Sequence, residues 1–421
     1  MNNRFNFSQG DQISIRGVGS RAPFGVRGIK IILDGVPLTM PDGQSQLNNL
    51  DLGSAGKIEV LRGPSSSLHG NAAGGLINIQ TEAAPAIFFL LAPQFIAGAD
   101  GLRKWQGKVS GKIGRHAYLI NVNKLELEGY REHSSANSAS VNAVSRHDIS
   151  KHLKLAAVFN YFDAPHLLNP SSLSKPEAVA SPASARFFVK QQGAGKKTRQ
   201  GQGGITLQYN DGEFRQYEAT FYGLSRSLLN PIPGRIIELD RISGGIRTVF
   251  SQRRQFDGTL LRWTMGADFE VQDDARIEFE NLGLPNDQVG RAEENNIFNL
   301  LQYGPRLLDQ QEKVIGVGPF AELEFAPDPQ WRLTLGGRYD RYKFKVNDRF
   351  IEDGIDDSGA RSMDKFSPMI GLTYQPRHFI TFYSNYSTAF QTPTTTELSN
   401  RPTGEGGLNS ALKPERIAGF E

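Results

Sequence analysis

The chain of 421 residues has no cysteine, so no disulfide framework can be read from it. That absence fits an oxidising cell envelope and fits many cytosolic proteins equally well, so it leaves the compartment open. Charge of one dominant sign is also missing: 47 basic and 44 acidic residues give 47 − 44 = +3, with both signs interspersed. A nucleic-acid partner would need a concentrated basic stripe, and none is present. No run of 18 apolar residues occurs. The most apolar stretch, residues 83–92, contains Pro85 and is followed by Pro93, too short and too broken to cross a membrane as a helix. A β-barrel escapes this test, because its strands alternate. The opening Met1-Asn-Asn-Arg-Phe-Asn has one charge and no apolar core, and does not read as a signal peptide. Catalytic constellations are absent as well: there is no His-Glu-x-x-His, no P-loop and no Gly-x-Ser-x-Gly, and the seven histidines are scattered. Gly17-Val-Gly19 precedes a loop rather than a helix, so it is no dinucleotide site. The chain does not read as an enzyme.

What is present begins with four blocks between residues 13 and 81. They are Ile-Ser-Ile-Arg-Gly, Ile-Lys-Ile-Ile-Leu-Asp-Gly-Val-Pro, Lys-Ile-Glu-Val-Leu-Arg-Gly-Pro and Gly-Asn-Ala-Ala-Gly-Gly-Leu-Ile-Asn-Ile-Gln-Thr. They predict a small sheet of short strands, each broken by a glycine turn. Asp34-Gly35 suits a type I′ hairpin, where both central residues take positive φ. Gly63-Pro64 and Gly74-Gly75 read as backbone devices for close packing.

Beyond residue 100 the pattern becomes period-2 alternation, the mark of half-buried strands. In residues 262–272, Trp263, Met265, Ala267, Phe269 and Val271 alternate with Arg262, Thr264, Gly266, Asp268, Glu270 and Gln272. In residues 330–340, Trp331, Leu333, Leu335 and Tyr339 alternate with Gln330, Arg332, Thr334, Arg338 and Asp340. Similar runs occupy 153–161, 205–209, 215–223, 320–325 and 369–374. Alternation alone fits a soluble sandwich as well as a membrane barrel. Connection lengths favour the barrel: short links at 327–329 and 375–377 against long polar ones at 132–147, 169–199 and 341–365, as expected of short periplasmic turns and long extracellular loops. In residues 118–128 the apolar set changes parity near Lys124, which predicts a bulge or the end of the membrane band.

The four N-terminal blocks resemble, in order and spacing, the plug domain of TonB-dependent outer-membrane receptors. Residues 383–421, from Tyr-Ser-Asn-Tyr through Asn-Ser-Ala-Leu-Lys-Pro-Glu to the terminal Phe-Glu, resemble the mid-barrel signature of the same family. Phe-Gly-Val-Arg-Gly, Met-Pro-Asp-Gly-Gln and Gly-Tyr-Arg-Glu-His-Ser are similar to the branch that contains YncD and the ferric-citrate receptor. The fold this implies is β-rich: a partial plug over residues 1–82 (a small mixed sheet, α+β) and part of a large antiparallel transmembrane β-barrel over 83–421. About 13 candidate strands stand against roughly 22 in plugged transporters, so the chain reads as truncated at both ends.

The resemblance implies an outer-membrane receptor of a Gram-negative bacterium that imports a scarce ligand, most simply a ferric siderophore or other iron chelate. TonB would act by strand addition on a segment upstream of this chain. No cofactor is implied, since iron is cargo; the barrel is expected to be monomeric among lipid and lipopolysaccharide. A non-transporting adhesion barrel, or a vitamin or sugar cargo, are the alternatives. Arg16 and Arg62 are implied at the plug–barrel interface facing barrel glutamates, Glu421 being one of them, either as a latch that TonB breaks or as a static anchor. Plug loops 19–27 and 40–46 are implied at the outward apex, with Arg21, Arg27, Gln44 and Gln46 as ligand contacts. Arginine suits an anionic chelate through charge-assisted bonds. His69 stands where the family has an aromatic residue. The acidic run 351–359 lacks EF-hand spacing and reads as a solvated loop; Lys196-Lys197-Thr-Arg199 reads as a loop end near lipopolysaccharide. No residue is assigned to a metal.

Overall fold

The computed structural model describes residues 6–22, 25–63, 68–212, 214–399, 407–409 and 411–421. Six short strands build an inner domain: β1 (Val26–Arg27), β2 (Ile29–Leu33), β3 (Val36–Pro37), β4 (Gln44–Ser45), β5 (Ala55–Arg62) and β6 (Gly75–Thr81). Strands β3, β2, β6 and β5 form a mixed sheet in that order, with β2 parallel to β6, and β1 pairs with β4. Its core is Val26, Ile29, Ile31, Leu33, Leu38 and Ile79. Asp34 and Gly35 both take positive φ, 48° and 86°, as the Asp-Gly turn requires. Gly75 sits at φ 137°, and a Cβ there would stand 2.1 Å from the Leu61 carbonyl oxygen, so β5 and β6 approach more closely than a side chain permits. Pro64 lies outside the described residues.

Fourteen longer strands follow as one antiparallel meander. They are β7 (Leu90–Ala97), β8 (Arg103–Ile113), β9 (His116–Leu127), β10 (Ala136–Asp148), β11 (Leu153–Leu168), β12 (Gly195–Asp211) and β13 (Arg215–Ile232), then β14 (Arg235–Phe256), β15 (Thr259–Gly283), β16 (Gln302–Ala326), β17 (Trp331–Asp348), β18 (Gly359–Arg377), β19 (Ile380–Gln391) and β20 (Glu415–Phe420). Strands β7 and β20 are the two edges. The sheet wraps the inner domain, because side chains from β8, β10, β14, β15, β17 and β19 all reach it.

Facing decides between sandwich and barrel. Met265, Phe269, Trp331, Leu335 and Tyr339 are exposed on the outer side, while Asp268, Glu270, Gln272, Arg338 and Asp340 are buried within. Apolar outside and polar inside is the arrangement of a membrane barrel around a polar lumen. No described helix is long and apolar enough to cross a membrane.

Several expectations about connections need correction. Residues 136–148 are strand β10, so the long loop expected at 132–147 shrinks to 128–135. Strands β17 and β18 run to Asp348 and restart at Gly359, well inside the loop expected at 341–365. Lys196, Lys197 and Arg199 likewise belong to β12, and residues 375–377 to β18. In β17 beyond Arg341 the alternation continues with its sense reversed, Tyr342, Phe344 and Val346 being buried inside while the outward face becomes polar, so the strand outruns the outward apolar band. Near Lys124 there is no bulge, because β9 keeps unbroken register with β8 and β10. The parity change there marks the end of the apolar band. Register shifts fall instead at Asn137/Ala139 and Ala164/Leu167.

Candidate functional site

The seam between inner domain and wall is built from buried charge. Lys30, on β2, points at Glu270 of β15 (3.2 Å), which also accepts from the hydroxyls of Tyr222 (3.0 Å) and Tyr342 (3.3 Å). Beside it, Arg338 donates to Asp340 (2.7 Å) and Asp268 (2.5 Å), and Arg247 donates to Asp268 (2.9 Å). Both guanidiniums also reach the carbonyl oxygen of Leu68, at 3.2 and 3.5 Å. Three cations thus face three carboxylates, which is the condition for ionised groups to remain buried. A Cβ at Gly70 would meet Asp340, Tyr342 and Arg338 within about 3.0 Å, so this turn seats directly on the network. Next to it burial, then the Arg247 charge, pushes the pKa of His69 down to about 3.

Three more contacts tie the two parts together. Asp34 accepts from Arg146 of β10 (2.9 Å) and from Thr81, so the turn aspartate is also an anchor. Asp51 accepts from Lys104 (2.8 Å), Asn121 (2.6 Å) and Asn123 (2.9 Å) of β8 and β9. Glu82 pairs with Lys108.

The residues singled out by sequence are distributed unevenly over this seam. Arg16 pairs with Glu421, with half of its side chain in solvent. Arg62 ends β5, an edge strand, and is exposed; among the described residues it makes no ion pair, so the two arginines do not meet at one acidic site. Arg21 is exposed and holds Glu415 (2.7 Å). Arg27 is buried and occupied, donating to the carbonyl oxygens of Asp42 and Thr392 and to Glu397. It braces the plug against the β19–β20 connection rather than presenting free donors. Gln44 keeps a half-buried side chain; the Gln46 amide packs on Gly10 and Gly25. Arg16, Arg21 and Arg27 share a cavity of about 470 Å³ with Gln391 and Glu397. In 351–359, Asp353 and Asp356 accept from the backbone amides of Ile355 and Ser358.

Sequence reasoning missed Arg226. It faces the lumen from β13, opposite Arg241 of β14, and is buried. Arg241 is held bidentately by Asp274 (2.8 and 2.5 Å) and lies 3.6 Å from Asp42. Among the described residues Arg226 makes no ion pair, and its Nε has no hydrogen-bond partner. Lys196 lies on the same inward face, nearer the long-loop end, and its charge and that of Arg226 repel. Arg226, Arg241, Asp42 and Asp274 thus form one buried cluster beside plug loop 40–46, in which Arg226 shares the field of both carboxylates without a direct pair to either. Only the strand register, which sets Arg226 against Arg241, reveals it.

A lumen-filling mixed-sheet domain seated on charge inside an outward-apolar antiparallel wall defines a plugged outer-membrane type of architecture. The description "TonB dependent receptor-like, beta-barrel" matches residues 143–421, and "TonB-dependent Receptor Plug Domain" matches 1–76. The chain belongs to the TonB-dependent receptor family, whose members are receptors and transporters rather than enzymes. It is 33% identical over 97 residues to the probable TonB-dependent receptor BfrD of Bordetella pertussis, covering 22% of this chain and 13% of that protein. Its fold is similar to the ferric citrate transporter FecA in unliganded form (TM-score 0.75, 16% identity), covering 99% of this chain and 63% of that one. It is also similar to the siderophore receptor PiuA of Acinetobacter baumannii (TM-score 0.71, 13% identity, 98% and 65% coverage). The chain therefore spans under two thirds of the length of these solved relatives.

Proposed function

We propose that this chain supplies the plug and part of the wall of an outer-membrane receptor that imports a negatively charged ferric chelate, with energy delivered through TonB. The observation that carries this reading is Arg226. Its Nε has no hydrogen-bond partner and it shares Asp42 and Asp274 with Arg241, so an anionic ligand entering from the long-loop side would give it a direct partner. Arg21, exposed at the same end, and the half-buried Gln44 add donors. The fold likeness to a ferric citrate transporter supports a polycarboxylate chelate. Iron is the cargo, and no cofactor is consumed. TonB would act on the plug, and the Arg16–Glu421 pair would part as the plug moves.

The test is ⁵⁵Fe uptake by the receptor carrying this chain, in a strain stripped of its other iron receptors, with and without TonB. Ferric citrate, catecholate and hydroxamate complexes would be compared. TonB-dependent uptake of the anionic chelates supports the proposal. Uptake that ignores TonB, or none from any chelate, contradicts it.

A further inference from the structure

The outer face of the wall carries a trench that the transport reading does not use. Cross-strand register places Ala219, Thr248 and Ala267 side by side on β13, β14 and β15. Directly opposed residues share a face, and this row is small. The row on one side of it is Phe221, Ile246 and Phe269; the row on the other is Tyr217, Phe250 and Met265. Ala219 and Thr248, with Leu207, Tyr217, Phe250 and Met265 around them, line a groove of about 430 Å³ in the lipid-facing surface. Tyr217 and Phe250 pack with ring centroids 4.8 Å apart, and Tyr209 joins them at 6.0 Å. This aromatic ladder lies toward the short-turn end, the level at which aromatic side chains mark a membrane interface.

Two arginines stand just beyond the ladder on the same face. Arg215 is two residues from Tyr217 and opposite Gln252; Arg254 is two residues further along β14. Both are exposed. Among the described residues Arg254 makes no ion pair, and Arg215 meets only the exposed Asp211, at 3.7 Å. An apolar trench, an aromatic row and paired cations therefore follow one another from mid-membrane to the periplasmic rim.

We propose that this face binds one glycerophospholipid with an anionic headgroup, an acyl chain lying in the groove floored by Ala219 and Thr248 and the phosphate held by Arg215 and Arg254. The strands of such barrels tilt by roughly 35–45°, so a row running across them is inclined enough to take a chain descending from the interface. Charge complementarity selects the anionic lipid: Arg254 makes no ion pair among the described residues and Arg215 only the exposed one with Asp211, so the two favour a phosphate bearing no neighbouring ammonium.

The test is native mass spectrometry of the receptor carrying this chain, released from detergent with dioleoyl-phosphatidylglycerol or zwitterionic dioleoyl-phosphatidylcholine. The wild type should retain one phosphatidylglycerol at least about 5-fold better than phosphatidylcholine. Arg215→Gln/Arg254→Gln, which alters only exposed side chains, should bring retention of the two lipids together. Ala219→Phe should lower retention of both. Equal retention by the wild type, or retention unchanged in the double variant, overturns the proposal. Displacement by inorganic phosphate as effective as by lipid also overturns it, because the site would then be one for free anions. Iron uptake is not read, so this inference and the transport proposal fail separately.

Discussion

Arg226 and Arg338 are both buried arginines of the wall, and compensation separates them. Arg338 is neutralised by Asp340 and Asp268 and belongs to the plug seat. Arg338→Gln leaves those carboxylates short of positive charge and should lower plug stability by about 3–5 kcal/mol, read as the plug transition in calorimetry. Arg16→Gln should cost below about 1 kcal/mol in the same experiment, since its pair with Glu421 is half in solvent. Arg226 makes no direct ion pair among the described residues, so Arg226→Gln should move that transition less than Arg338→Gln does while cutting chelate uptake at least about tenfold, the loss of one charge-assisted contact. His69 adds a pH dependence. It stays neutral in the folded plug, whereas the unfolded chain takes up a proton below pH 6.5. Plug stability should therefore fall as pH drops from 6.5 toward 5, by no more than about 2 kcal/mol for a half-buried ring. His69→Gln should flatten that slope. An equal slope in both proteins would show that another group titrates.

At the scale of elements, the glycine turns and the alternating runs were legible because each encodes a local backbone requirement. Asp34-Gly35 states its own φ values, and Trp331 to Tyr339 states which face is apolar. What was not legible is where strands outlive the outward apolar band: in β17 the apolar set passes from the outward Leu335 and Tyr339 to the inward Tyr342, Phe344 and Val346. The site was legible only in part for the same reason. Arg16 and Arg27 sit in motifs, and the structure pairs Arg16 with Glu421 and Arg27 with Asp42, Thr392 and Glu397. Arg226, Glu270 and Asp340 acquire meaning only once register brings distant strands together. Gly75→Ala tests the backbone argument. Its Cβ would collide with the Leu61 carbonyl oxygen, so β5 should part from β6 and the plug transition should broaden or vanish while the barrel still assembles.

For the whole molecule, the outward apolar face of β7 to β20 carries the claim of membrane residence. Leu335 lies midway along the outward run from Trp331 to Tyr339 and is exposed. Leu335→Arg should destabilise the assembled receptor by about 2–4 kcal/mol in lipid, measured by reversible urea unfolding in vesicles. A neutral result would mean that this face does not meet hydrocarbon. The seat of charged pairs and the wall otherwise form one device, with the plug braced from several strands and the Arg226 Nε left without a hydrogen-bond partner beside it.

The most direct test of that device is the anomalous scattering of iron in crystals of the receptor grown with ferric citrate. The account predicts an iron peak on the long-loop side of the plug, with citrate carboxylates reaching Arg226. An iron peak remote from Arg226, or bound citrate that leaves this arginine without an anionic partner, would contradict it.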